Sequence, residues 1–156
     1  EIIVMGDSAG GGLSLTLVQE LILRKKPLPK ELILISPWLD IALRNRDIDP
    51  LEVKDPMLNR RHLQLMGRSW AADLPVYDRR VSPINGPITG LPPVSLFVGT
   101  HEILLSDARK FHVLCMRSGT PISYHEYPKM NHDFPLFPIP EAGRAVREIV
   151  HVIRRR

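Results

Sequence analysis

The 156-residue chain has a single cysteine, Cys115, and no apolar run near the ~18–20 residues needed to cross a bilayer as a helix. One cysteine excludes an internal disulfide framework, and its place on an apolar helical face makes it core packing rather than a reactive thiol. No charged leader precedes an apolar stretch and a small-residue cleavage site, and no internal repeat or low-complexity tract interrupts the sequence. The expectation is therefore a soluble, cytoplasmic protein with no membrane span, folded as a single domain over residues 1–156. None of the six histidines pairs at a convincing zinc spacing, so neither a metal nor a cofactor is expected. The net charge is +4, yet the basic residues are scattered apart from Arg24-Lys25-Lys26 and Arg154-Arg155-Arg156. Both clusters end predicted helices, where cations complement the helix dipole, and this argues against a nucleic-acid partner.

What is present is an alternation of two periodicities. Ile2-Ile3-Val4-Met5, Glu31-Leu32-Ile33-Leu34-Ile35-Ser36 and Val94-Ser95-Leu96-Phe97-Val98-Gly99 read as short apolar strands, and residues 122–127 as a fourth strand. Between them, the run from Leu13 to Leu23 reads as a helix apolar on nearly every side, as a buried helix would be. Further helices are predicted over residues 60–72, through Leu104, Ala108, Phe111 and Cys115 until Gly119, and through Ala142, Ala145, Val146, Ile149, Val152 and Ile153. Residues 38–59 and 74–93 lack a period and read as long connections. Strands that alternate with helices predict an α/β fold: a mostly parallel sheet of about four strands with helices on both faces.

Gly6-Asp7-Ser8-Ala9-Gly10-Gly11 lies between the first strand and the first helix and has the G-x-S-x-G form of a nucleophile elbow, a sharp turn that lifts a serine hydroxyl out at its tip. An alcohol is a poor nucleophile at neutral pH, so Ser8 needs a base and a group that orients the base. Two later strand ends offer them. Thr100-His101-Glu102 follows the third strand, and Asn131-His132-Asp133-Phe134 follows the fourth. Asp107 is the rival acid, a turn into the next predicted helix. His101 adjoins the proposed acid, at the rim. His62, His112, His125 and His151 fall in predicted helices or strands and read as surface or packing residues.

Taken together, Gly6 to Gly11, Ser36-Pro37-Trp38-Leu39-Asp40, Glu102-Ile103-Leu104 and His132-Asp133-Phe134 resemble the G-D-S-A-G-G, S-P-W-x-D, acid-x-L and H-x-F segments of hormone-sensitive-lipase-like esterases, which are α/β-hydrolases. The resemblance covers nearly the whole chain and corresponds to the carboxyl-terminal half of such a fold. It implies Ser8 as nucleophile, His132 as general base then acid, Glu102 as the carboxylate that fixes the imidazole, and the Ala9 N–H as an oxyanion donor. The family more often carries Asp at the acid position. Its other oxyanion donors come from an H-G-G-G loop ahead of the elbow, which this sequence does not contain. Asp55-Pro56-Met57-Leu58 is similar to a segment walling the acyl pocket, so Trp38, Met57 and Leu58 are candidates for pocket lining, with core packing an equal reading. The implied substrate is a small ester, with lactones or amides open to the same residues. The implied partner is a missing amino-terminal half, or another chain or second copy pairing with Ile2-Ile3-Val4-Met5. A non-catalytic scaffold serving as a binding or assembly module is the alternative.

Overall fold

The computed structural model describes residues 2–154, so Arg155 and Arg156 of the terminal basic cluster lie outside the described residues. Its elements are β1 (Ile3–Asp7), α1 (Ser8–Leu23), β2 (Glu31–Ile35), the short α2 (Asp49–Glu52), α3 (Arg60–Ala71), β3 (Val94–Gly99), α4 (Leu105–Ser118), β4 (Ile122–Tyr127) and α5 (Pro140–Arg154). The four strands form one sheet in the order β1-β2-β3-β4, every pair parallel.

β2 and β3 are buried almost throughout, as central strands covered on both faces must be, and their side chains divide by the two-residue period. Leu32, Leu34, Leu96 and Val98 face Leu15 and Val18 of α1 and Ala108, Phe111 and Cys115 of α4. Ile33, Ile35 and Phe97 face Ala145, Ile149 and Val152 of α5. Helices therefore cover both faces. Burial pushes the Cys115 thiol up to about 12, which keeps it a neutral packing group.

Two helical faces differ from their sequence patterns. α1 is not buried all round, because Leu13 is 55% and Leu17 47% exposed. On α5, Val146 and Ile153 point outward while Ala142, Ala145, Ile149 and Val152 are buried. The connection of residues 38–59 is also less bare than its composition implies: it holds a 3₁₀ turn at Arg46–Ile48 as well as α2. β1 forms one end of the sheet, pairing only with β2 among the described residues, and Met5 on it is 53% exposed.

The register places the chemistry. Asp7 aligns with Ile35, and Gly99 with Tyr127, so the carboxyl ends of the strands open along one edge of the sheet. Loops that follow parallel strands converge there. The loop after β3 and the loop after β4 are joined by three contacts, Thr100 N–H to the Tyr127 carbonyl (3.0 Å), His101 N–H to the Met130 carbonyl (2.9 Å) and Lys129 N–H to Thr100 Oγ1 (2.7 Å).

Candidate active site

Ser8 stands at the junction of β1 and α1 with φ +47°, a left-handed conformation that a serine adopts only at some cost in strain. The Trp38 N–H holds its carbonyl at 2.9 Å. The turn is tight enough that a Cβ on Gly6 would run into the Gly10 carbonyl and the Ser14 hydroxyl, and one on Gly11 into Pro37. Small residues at these two places are what allow a strand to reverse directly into a helix. Ala9 lies in the first turn of α1, where N–H groups have no intrahelical acceptor and the helix dipole is positive.

Ser8, His132 and Glu102 meet at this edge. Ser8 Oγ is 2.9 Å from His132 Nε2, and His132 Nδ1 is 2.9 Å from Glu102 Oε2. The imidazole is 4% exposed and Glu102 fully buried. A buried carboxylate must have its lone pairs satisfied. The second oxygen, Oε1, accepts from Ser36 Oγ (2.7 Å) and from the Gly99 N–H (2.7 Å). Burial pulls the His132 imidazole toward its neutral form. The hydrogen bond and charge of Glu102, with the charges of Asp133 and Asp55, outweigh it and leave the ring above its ordinary pKa.

The other candidates are placed differently. Asp107 is in the first turn of α4, accepting from Asn45 Nδ2 at 3.2 Å, and takes no part in the contacts of His132. Trp38 lines a cavity of about 330 Å³ beside the elbow, together with Ala9, Leu13, Ile41, Met66 and Trp70. Met57 and Leu58 do not line it. Met57 is half exposed with its sulfur against Asn131 Nδ2, and Leu58 packs on the core. Three supporting residues were not singled out by sequence. Ser36 braces Glu102. Asp55 accepts the N–H groups of Met57, Leu58 and Ile103 and so ties the connection after β2 to the acid-bearing loop. Asp133 puts a second carboxylate at the histidine, with Oδ2 3.2 Å from Nε2. For Ser36 the signal was its position in the S-P-W-x-D segment. For Met66 and Trp70 it was apolar residues four apart on an otherwise polar helix. Among the described residues no group of histidine, cysteine and carboxylate side chains is arranged to hold a metal.

Comparison with known proteins agrees with the parallel α/β fold. The profile of the alpha/beta hydrolase fold family matches residues 1–136. An acetyl-hydrolase of Streptomyces hygroscopicus is 33% identical over 93% of this chain and 49% of its own length. The crystal structure of a Staphylococcus aureus protein proposed to be an esterase superposes with TM-score 0.95 at 42% identity, over 99% of this chain and 52% of that one. An esterase of the bacterial hormone-sensitive lipase family superposes with TM-score 0.95 at 28% identity, over 98% and 52%. The chain thus spans about half the length of the relatives it matches. With its parallel sheet, its serine at a strand-to-helix elbow and these relatives, the chain belongs to the α/β-hydrolase fold family, in the branch of the hormone-sensitive-lipase-like esterases.

Proposed function

We propose that the protein is a serine carboxylester hydrolase acting through Ser8, His132 and Glu102. The observation that carries this reading is the unbroken line of contacts from Ser8 Oγ through both imidazole nitrogens to Glu102, each 2.9 Å, with acid and base buried. Ser8 Oγ attacks the ester carbonyl while its proton passes to His132 Nε2. Glu102 keeps the other ring proton on Nδ1 and stabilises the imidazolium as it forms. Negative charge gathers on the carbonyl oxygen, and the Ala9 N–H at the start of α1 is the donor this span contributes to it. The imidazolium then returns its proton to the departing alcohol, leaving an acyl group on Ser8. Water, deprotonated by the same nitrogen, releases the acid.

The apolar cavity beside Ala9 supports a short-to-medium acyl chain as the substrate portion held there, with Leu13, Trp38, Met66 and Trp70 as its walls. In the full-length protein, Ser8→Ala is expected to reduce kcat for p-nitrophenyl butyrate by roughly 10⁴-fold or more while circular dichroism is unchanged. Turnover that persists in Ser8→Ala, or no turnover of any short ester by the wild type, overturns the reading.

A further inference from the structure

The residue directly after the histidine is held in an uncommon conformation. Asp133 has φ +52°, in the left-handed region. That turn brings its carboxylate back onto the ring of its own neighbour. Oδ2 lies 3.2 Å from His132 Nε2, the nitrogen that also meets Ser8 Oγ at 2.9 Å. The backbone fixes it there, since the Asp133 N–H donates to Ser36 Oγ (3.2 Å), and that hydroxyl donates to Glu102 Oε1 (2.7 Å). The imidazole is thus enclosed by carboxylates at both nitrogens, Glu102 at Nδ1 and Asp133 at Nε2.

The surroundings sharpen the consequence. His132 also feels Asp55, from the connection after β2, and Asp133 feels Asp7, from the end of β1, and Glu102, from the loop after β3. These influences are anionic, in a chain whose net charge is +4. Against a neutral ring, whose Nε2 carries a lone pair, an ionised Asp133 is repelled. Against an imidazolium, whose Nε2 carries a proton, it is a hydrogen-bond acceptor. Its contact therefore favours the protonated ring, the species formed when Ser8 gives up its proton. Burial first, then the charges of Asp7 and Glu102, raise the Asp133 carboxyl to about 6 against the pull of His132, so it is ionised above that pH.

We propose that Asp133 is a positioning residue for His132, a second carboxylate that accepts from the Nε2 proton and stabilises the imidazolium between its removal from Ser8 and its delivery to the leaving alcohol. This rests on the Ser8–His132–Glu102 reading. No proton moves to Asp133: the Ser8 proton goes to Nε2, is shared as a hydrogen bond with Oδ2, and leaves with the alcohol. The contact also raises the pH at which His132 loses its proton, so the acid limb of kcat/KM lies higher than Glu102 alone would set it.

The test uses full-length protein labelled with ¹⁵N-histidine, with the ring titrated by NMR and the pH profile of kcat/KM measured on p-nitrophenyl butyrate. Asp133→Asn, which keeps the shape and tolerates a positive φ, is expected to lower the His132 titration and the acid limb together by about one pH unit. Asp133→Gly, which suits that φ better still, gives the same shift should the asparagine variant fold poorly. Asp133→Glu recovers part of it. A His132 titration that stays in place in both charge-removing variants overturns the proposal. So does a titration that moves while the acid limb does not. Turnover that persists in Ser8→Ala is a different failure, faulting the nucleophile assignment, because the NMR titration reads Asp133 whether or not Ser8 is the nucleophile.

Discussion

Glu102 carries more than a charge. Its Oε2 meets the imidazole, and its Oε1 takes two donors, the Ser36 hydroxyl and the Gly99 N–H, so its carboxylate plane is set before any substrate arrives. Gly99 also lets the loop after β4 come close to the end of β3, because a Cβ there would strike the Met130 carbonyl. Under the proposed mechanism, Glu102→Gln keeps volume but offers an N–H where Nδ1–H needs an acceptor, which favours the tautomer with its proton facing Ser8. The expected outcome is a fall in kcat of roughly 10³–10⁴-fold with KM little changed, read from steady-state kinetics of the folded variant. Sequence order alone had already put a serine, an acid and a histidine in line. The predicted strand and helix limits set Glu102 at a strand end and Asp107 a turn into the next helix, which put Glu102 ahead and left Asp107 as the rival, and Asp107 does lie in the first turn of α4. Ser36 and Asp133 lay within the quoted segments, but their contacts were not legible: each acts through a positive backbone φ, +42° and +52°, that no side-chain pattern announces.

At the scale of elements, β3 and β4 have the limits expected from the sequence, because turn residues bound both. β1 runs two residues further than its apolar stretch, through Gly6 and Asp7, since pairing with β2 extends to the elbow itself. Which sides of α1 and α5 are covered could not be read, as burial depends on what packs against a helix and not on its own composition. α4 carries a burden of its own. Asp107 is 1% exposed, and its Oδ2 has no hydrogen-bond partner. Burial pushes its carboxyl up to about 6 despite the Asn45 hydrogen bond, with the charge of Asp40 adding to the rise. An unfolded aspartate titrates near 3.9, so the folded chain binds this proton more tightly, and its contribution to stability is lost as pH rises from about 4 to about 6. Asp107→Asn removes that dependence. Urea denaturation of the full-length variant and wild type is expected to show the difference moving in favour of the variant by on the order of 2 kcal/mol between pH 4 and pH 7. A difference constant with pH would mean that the Asp107 carboxyl titrates in the folded chain as it does in the unfolded one.

At the scale of the whole molecule, the described span holds an unbroken line of contacts from Ser8 through His132 to Glu102, beside a surface with exposed apolar side chains. Leu13 and Leu17 on α1, Met66 and Trp70 on α3 and Met5 on β1 remain exposed. Three of them, Leu13, Met66 and Trp70, wall the cavity beside the elbow. The relatives described above are about twice as long as this span. The resemblance reached from four short segments thus identified the family correctly. The central claim is that Ser8 is a nucleophile activated by His132. Full-length protein treated with a fluorophosphonate and digested for peptide mass spectrometry tests it most directly. The expected result is one phosphonyl adduct on the peptide containing Ser8, lost in Ser8→Ala and greatly slowed in His132→Ala. An adduct on another residue, or labelling of Ser8 at the same rate without His132, would contradict it.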